Sequence, residues 1–243
     1  MPYYYGFDWT YLVLILPCMI FSMIASSRVN STFQKYSQQY SQRRITGAEA
    51  ARRVLAHNGV SGVRIERVAG NLTDHYDPRT NVIRLSDSVY SSTSTAAIGV
   101  AAHEAGHAVQ YAVNYAPIKL RAAIIPLTNF GSKLAMPLIL AGILLTFLGS
   151  LSTLLVYLGI AAFALSFVFQ LITLPVEFNA SRRAIETIEG QGLLYEDELG
   201  GAKKVLRAAA MTYVAALLMS MLQLLRYVLI FAGRGGSRGG GRE

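Results

Sequence analysis

Ala101 to Ala108 reads AAHEAGHA, with His103 and His107 four residues apart and Glu104 directly after the first histidine. On an α-helix, residues i and i+4 share a face, so both imidazoles can point at a single ion. Two neutral imidazoles and one further carboxylate bind Zn²⁺ and leave a fourth tetrahedral position to water. A glutamate beside the first histidine can then take a proton from that water as it attacks an amide. The pattern is H-E-x-x-H. A surface helix with two solvated histidines would explain the same letters, but the chain has only four histidines and two of them fall here. Thr95 to Ala102, just upstream, is small and apolar, so a charged Glu104 needs a partner or a wet cavity.

Composition asks for a membrane. Of the 243 residues, 53% are hydrophobic and only 15% charged, where soluble domains are about a quarter charged. The single cysteine, Cys18, lies in an apolar run, which excludes a disulfide framework and a cysteine zinc site. The net charge of +8 sits on lysines and arginines that flank apolar segments. Flanking charge of that kind sets membrane topology, and nucleic acid is not an expected partner.

Outward from the motif, the apolar segments predict about four transmembrane helices. The first, Trp9 to Ala25, has no charged side chain and follows the aromatics Tyr3 to Tyr5 and Phe7, which suit a membrane–water interface. Basic residues come after it, from Arg28, the order of an uncleaved anchor with its N-terminus outside. Pro117 is expected to end or bend the motif helix, and Pro117 to Lys133 to lie at the interface. Leu134 to Gly149 and Leu151 to Leu174 follow as a hairpin, and Ala208 to Phe231 is the last span, with Arg226 near its end. The expected organisation is an anchor over residues 1–27, a cytoplasmic catalytic region over 28–133 and a transmembrane hairpin over 134–175. A second cytoplasmic segment over 176–207, a span over 208–232 and a disordered basic tail over 233–243 complete it. Residues 28–133 and 176–207 then share one side of the membrane and hold eighteen of the 22 basic residues, all but Arg226, Arg234, Arg238 and Arg242. That side is expected to be the cytoplasm.

The catalytic region reads as a small α+β, zincin-like domain with a short sheet beside the motif helix. Thr46 and Glu49 have capping-box spacing before a helix over Ala48 to His57, and Asn58-Gly59 supplies a stop, with His57 expected to cap carbonyls. Val63 to Val68 and Asn81 to Leu85 read as strands around the turn-rich Asn71 to Thr80, and Ser92 or Ser94 can cap the motif helix. A free edge along Val82, Ile83, Arg84 and Leu85 would pair with an extended substrate.

The hairpin returns the chain to the side it left and delivers Leu174-Pro175-Val176-Glu177 to the motif helix. Glu177 is a candidate third ligand, with an interfacial pairing to Arg182 or Arg183 as its alternative; His75, Asp77 and Asp74 are rival ligands. A third histidine six residues after His107 would mark the metzincin type, but that residue is Val113. Glu186 to Arg207 predicts a helix, a loop and a second helix, with a break at Gly200-Gly201.

With HEAGH at 103–107, LSDSVY before the motif helix and LPVEFNASRRA at 174–184, the chain resembles the YugP family of prokaryotic neutral zinc membrane metallopeptidases over nearly its whole length. More distantly it is similar to HtpX-type and CAAX-prenyl-protease-type gluzincins. The resemblance implies His103, His107 and Glu177 as zinc ligands and Glu104 as the base. In those distant relatives an aspartate four residues after the glutamate bonds a ligand histidine; here that position is Ser181. His75, Tyr76 and Arg183 are the candidates for touching substrate or transition state. The expected function is a multi-pass zinc metalloendopeptidase of a prokaryotic plasma membrane, with its active site facing the cytoplasm. It would cleave membrane proteins or membrane-proximal chains, and by resemblance to HtpX serve quality control. A non-proteolytic zinc scaffold or adaptor of another protease is the rival reading, and oligomers or protease partners are left open.

Overall fold

A computed structural model describes residues 9–235; the aromatic cluster Tyr3 to Tyr5 and Phe7, and the tail beyond Gly235, lie outside the described residues. The protein is mainly helical. After a π-helical turn, Tyr11–Ile15, come α1 (Leu16–Ser37), α2 (Gly47–His57), β1 (Arg64–Val68), β2 (His75–Asp77), β3 (Val82–Ser86) and α3 (Asp87–Tyr90). Then follow α4 (Thr95–Ala112), α5 (Ala116–Leu144), a 3₁₀ turn, α6 (Ser150–Gly190) and α7 (Glu196–Gly235). Among the described residues, four helical stretches are long and apolar enough to cross a membrane: Tyr11–Ser37, Ala116–Leu144, Ser150–Gly190 and Glu196–Phe231. The described residues divide into two compact units, one within 9–23, 121–171 and 214–235, the other within Ile24–Leu120 and Ile172–Tyr213.

In the first unit, small residues let helices meet closely. A Cβ at Gly159 would stand 2.8 Å from the Ala135 carbonyl oxygen, and one at Gly142 would stand 2.6 Å from that of Ser152. Such contacts replace the hydrophobic drive that lipid does not provide. Ile139, Val156, Tyr227 and Phe231 form its core, with Phe163 edge-on to Tyr227 at 5.3 Å. Leu140, Leu144, Phe147, Leu151, Leu154 and Leu158 stay exposed, an apolar surface suited to lipid.

The second unit packs α2, α4 and the ends of α6 and α7 around Val54, Ile83, Leu85, Ile98, Ala105, Val109, Ile188 and Leu206. Thr46 caps α2 by accepting from the Glu49 amide, and Ser94 caps α4 by accepting from the Ala97 amide. His57 does not cap its own helix; its Nδ1 lies 2.8 Å from the Gln191 side chain. The three-stranded sheet has the order β1-β3-β2, with β3 parallel to β1 and antiparallel to β2.

That order corrects the edge assigned to Val82, Ile83, Arg84 and Leu85. β3 is the central strand, paired along its whole length with β1 and over Val82 to Arg84 with β2. Past the end of β2, Asp74 takes the Ser86 amide at 2.7 Å. Val82, Ile83 and Leu85 are fully buried, so this apolar run marks burial on both faces rather than an open edge.

The helix boundaries also differ from expectation. α4 ends at Ala112 because Asn114 turns left-handed (φ 56°), and Pro117 instead opens α5, where its missing N–H has no helical partner to lose. α5 then runs unbroken from Ala116 to Leu144, through Pro126 and Pro137, so Pro117 to Lys133 and the apolar run after it share one helix. Pro175 lies inside α6, which carries Glu177 on the same helix as the preceding apolar run. Gly200-Gly201 is no break: a Cβ at Gly201 would stand 2.7 Å from Thr95 Oγ1, so glycine there permits close packing within α7.

Candidate metal centre

The seam between α4 and α6 builds the site. Val176, Ala180, Ala184 and Ile188 repeat every four residues along α6 and are fully buried. On α4, Ala102, Ala105 and Gly106 face inward. A Cβ on Gly106 would be 2.7 Å from the Ala180 carbonyl oxygen, so only glycine allows this separation. At such a spacing, side chains one position off the seam converge. They are His103 and His107 from α4 and Glu177 from α6.

Glu177 Oε2 stands 3.2 Å from His103 Nε2 and 3.5 Å from His107 Nε2. One ligand atom from each of the three lies within 4.8 Å of the others. The two rings meet edge-on at 4.7 Å between centroids. Glu177 is 3% exposed and His107 8% exposed. Burial alone would hold His107 below its ordinary pKa, but the Glu177 carboxylate bonded to it, together with the charge of Glu104, raises it. The field at this point therefore favours a positive charge.

The donor set fits a metal ion. Gln110 donates through Nε2 to the Val176 carbonyl at 2.8 Å, which can only accept, so its Oε1 faces His107 Nδ1 at 3.0 Å. Neutral His107 therefore carries its hydrogen on Nδ1 and turns the Nε2 lone pair toward Glu177. His103 also turns Nε2 toward Glu177, and its Nδ1 lies 3.1 Å from Ser181 Oγ, a hydroxyl that can donate or accept. Metal-ligating histidines characteristically use their second nitrogen like this. Ser181, four residues after Glu177, thus meets His103 through its hydroxyl.

Glu104 is partly exposed beside the buried pair. Asp74, just before β2, feels its charge: burial raises the Asp74 carboxyl, Ser86 hydrogen bonds oppose that, and Glu104 raises it further. Asp74 is held by Ser86, and Asp77 by Thr80, Arg79 and Arg84. Neither joins the three-residue cluster, and His75, exposed with its Nδ1 near the Thr73 carbonyl, does not either. The Tyr76 hydroxyl donates to Asn81 while its ring tilts against Tyr111. Arg183 donates to Asn179 at 2.9 Å. Gln110 was not legible as part of the site, because one turn past H-E-x-x-H a glutamine looks like any polar helix residue. Its complete burial is the signal, and only the fold supplies it.

A membrane-helical chain with two histidines and a carboxylate converging in a buried seam defines a class, the metal-dependent membrane proteins. The family described as "Putative neutral zinc metallopeptidase" matches residues 11–232, and the chain belongs to that family. Zinc is its cofactor, and His103, His107 and Glu177 are positioned to bind a metal ion. The chain is 48% identical over 221 residues to a protein of Bacillus subtilis (strain 168) described as "Putative membrane protease YugP", covering 91% of this chain and 96% of that one. No solved structure matches.

Proposed function

We propose that this protein is a gluzincin-type zinc metalloendopeptidase, multi-pass in a prokaryotic plasma membrane, that hydrolyses peptide bonds at the cytoplasmic face. The observation that carries the reading is the convergence of His103, His107 and Glu177 donor atoms within 4.8 Å beside a partly exposed Glu104. These three residues would hold the ion through the two Nε2 atoms and a Glu177 oxygen. Zinc supplies Lewis acidity and makes water acidic enough to be a nucleophile near neutral pH. Glu104 takes the proton of the attacking water on its carboxylate and passes it to the leaving amine. Gln110 keeps the His107 imidazole in the tautomer that offers Nε2, and Ser181 holds the His103 ring in place through its hydroxyl.

The cytoplasmic assignment is supported by the eighteen basic residues gathered in 28–133 and 176–207. Substrates there are membrane proteins or membrane-proximal chains, and quality control is the corresponding role. The sheet offers such a chain β2, an edge strand on the side away from β1. A peptide N-methylated at alternate amides should then be cleaved more slowly than its parent; equal rates would remove the strand from substrate binding.

Purified wild type and Glu104→Gln, compared for zinc content and casein cleavage, test the main reading. Equal zinc with lost cleavage is expected. Equal cleavage would refute the role of Glu104, and absence of cleavage from both would favour a zinc-containing scaffold.

A further inference from the structure

Gln110 is a long polar side chain on the helix face that carries His103, Gly106 and His107, and it is completely buried. A buried amide is costly unless its hydrogen bonds are made, and a leucine or methionine of similar volume would fill the seam without that demand. Here the bonds are made. Oε1 faces His107 Nδ1, and Nε2 reaches both the Val176 carbonyl and Asn179 Oδ1, the last at 3.0 Å. Asn179 Oδ1 also accepts from Arg183 Nε at 2.9 Å, one turn further along α6. A guanidinium can only donate, so it settles which end of the Asn179 amide faces it, and that oxygen in turn demands the nitrogen of Gln110.

We propose that Arg183, Asn179 and Gln110 form a directional relay that fixes the ring orientation and tautomer of His107, making Gln110 a positioning residue for the metal. The inference rests on the reading of His107 as a ligand. It also reassigns Arg183, from a candidate contact of substrate or transition state to the outer end of this relay. Gln110 touches no substrate, because it has no exposed surface. Its effect must pass through His107.

The test uses the full-length protein in detergent, with zinc affinity measured by chelator competition and geometry read from the visible spectrum of the cobalt-substituted form. Gln110→Met keeps the volume and removes every bond; zinc should bind about 10–100-fold more weakly, the range for outer partners of ligand histidines. Asn179→Leu, two bonds from the ring, should weaken it about tenfold, and Asn179→Asp, which still accepts from both neighbours, should restore it. The cobalt bands should shift in Gln110→Met and Asn179→Leu and return in Asn179→Asp. Should Gln110→Met fail to fold, the Asn179 pair decides. Wild-type affinity and spectrum in Asn179→Leu, or equal weakening in Asn179→Leu and Asn179→Asp, would overturn the relay. His107→Ala separates the two levels: unchanged zinc binding there would sink the ligand reading itself.

Discussion

Gly106→Ala, a single methyl group between the two histidines, tests whether helix spacing builds the metal centre. The new Cβ would stand 2.7 Å from the Ala180 carbonyl oxygen, a backbone atom that cannot swing aside. An ordinary carbon–oxygen contact is about 3.3 Å, so α4 and α6 must part by about 0.6 Å at this point. Metal–ligand distances tolerate about 0.2 Å, so the ligand set opens by roughly three times what the ion accepts. Alanine also favours the helix by about 1 kcal/mol over glycine. Overpacking typically costs about 1–3 kcal/mol, so the steric effect prevails and net stability falls by up to about 2 kcal/mol. Zinc affinity should fall by at least about tenfold, since 1.4 kcal/mol of lost binding suffices for that. The assay is chelator competition with casein cleavage alongside, and thermal unfolding of the zinc-free form measures the packing effect separately. Gly99→Ala on the same helix is the control: its Cβ would meet Ala202 Cβ at 3.3 Å, and zinc binding should be unchanged. Wild-type affinity in Gly106→Ala would refute the claim that this seam sets the ligand geometry.

Four further outcomes are expected. Glu177→Ala should strip zinc from the protein while Glu104→Gln retains it; metal analysis showing full occupancy in Glu177→Ala would remove that carboxylate as a ligand. Ser181→Ala should weaken zinc about tenfold by freeing the His103 ring, with Ser181→Asp close to wild type; equal affinities across the series would deny Ser181 a role. Chelation should abolish casein cleavage and added zinc restore it, and activity that survives chelation would contradict metal dependence. Asp77, bonded by Thr80 and the Arg79 amide, with Arg84 beside it, is depressed to about 2. Its bonds therefore contribute stability above the ordinary carboxylate pKa, and that contribution disappears as pH falls from about 4 toward 2. Acid unfolding of wild type and Asp77→Asn should diverge above pH 4 and converge below 2, and parallel curves throughout would contradict this.

How much of this was readable in the chain depends on the range of the interaction. His103 and His107 are four apart on one helix, so their shared face follows from helical period alone, as do the caps Thr46 and Ser94. The apolar runs announce four spans because the criterion, length without charge, is itself local. The central place of β3 was not readable, since a buried strand and an edge strand can share the letters VIRL and differ only in what lies alongside. Gly200-Gly201 resembled a break for the same reason: glycine is a helix breaker in isolation and a close-packing residue when Thr95 and Gln39 stand against it.

The motif and the resemblance nominated Glu177 and left Ser181 in doubt, and Gln110 went unnoticed. What the sequence determined by itself was a pair of imidazoles on one face and the number of apolar segments, both set by contacts within a few residues. Only the tertiary structure decided the third donor at 3.2 and 3.5 Å and the hydrogen bonds that fix both rings. Glu177 and Ser181 lie 74 and 78 residues from His103, and Val176, which orients Gln110, lies 66 from it; their meeting depends on one missing Cβ at Gly106 where α4 crosses α6. A distance of that kind is a property of two packed surfaces, and no local pattern encodes it.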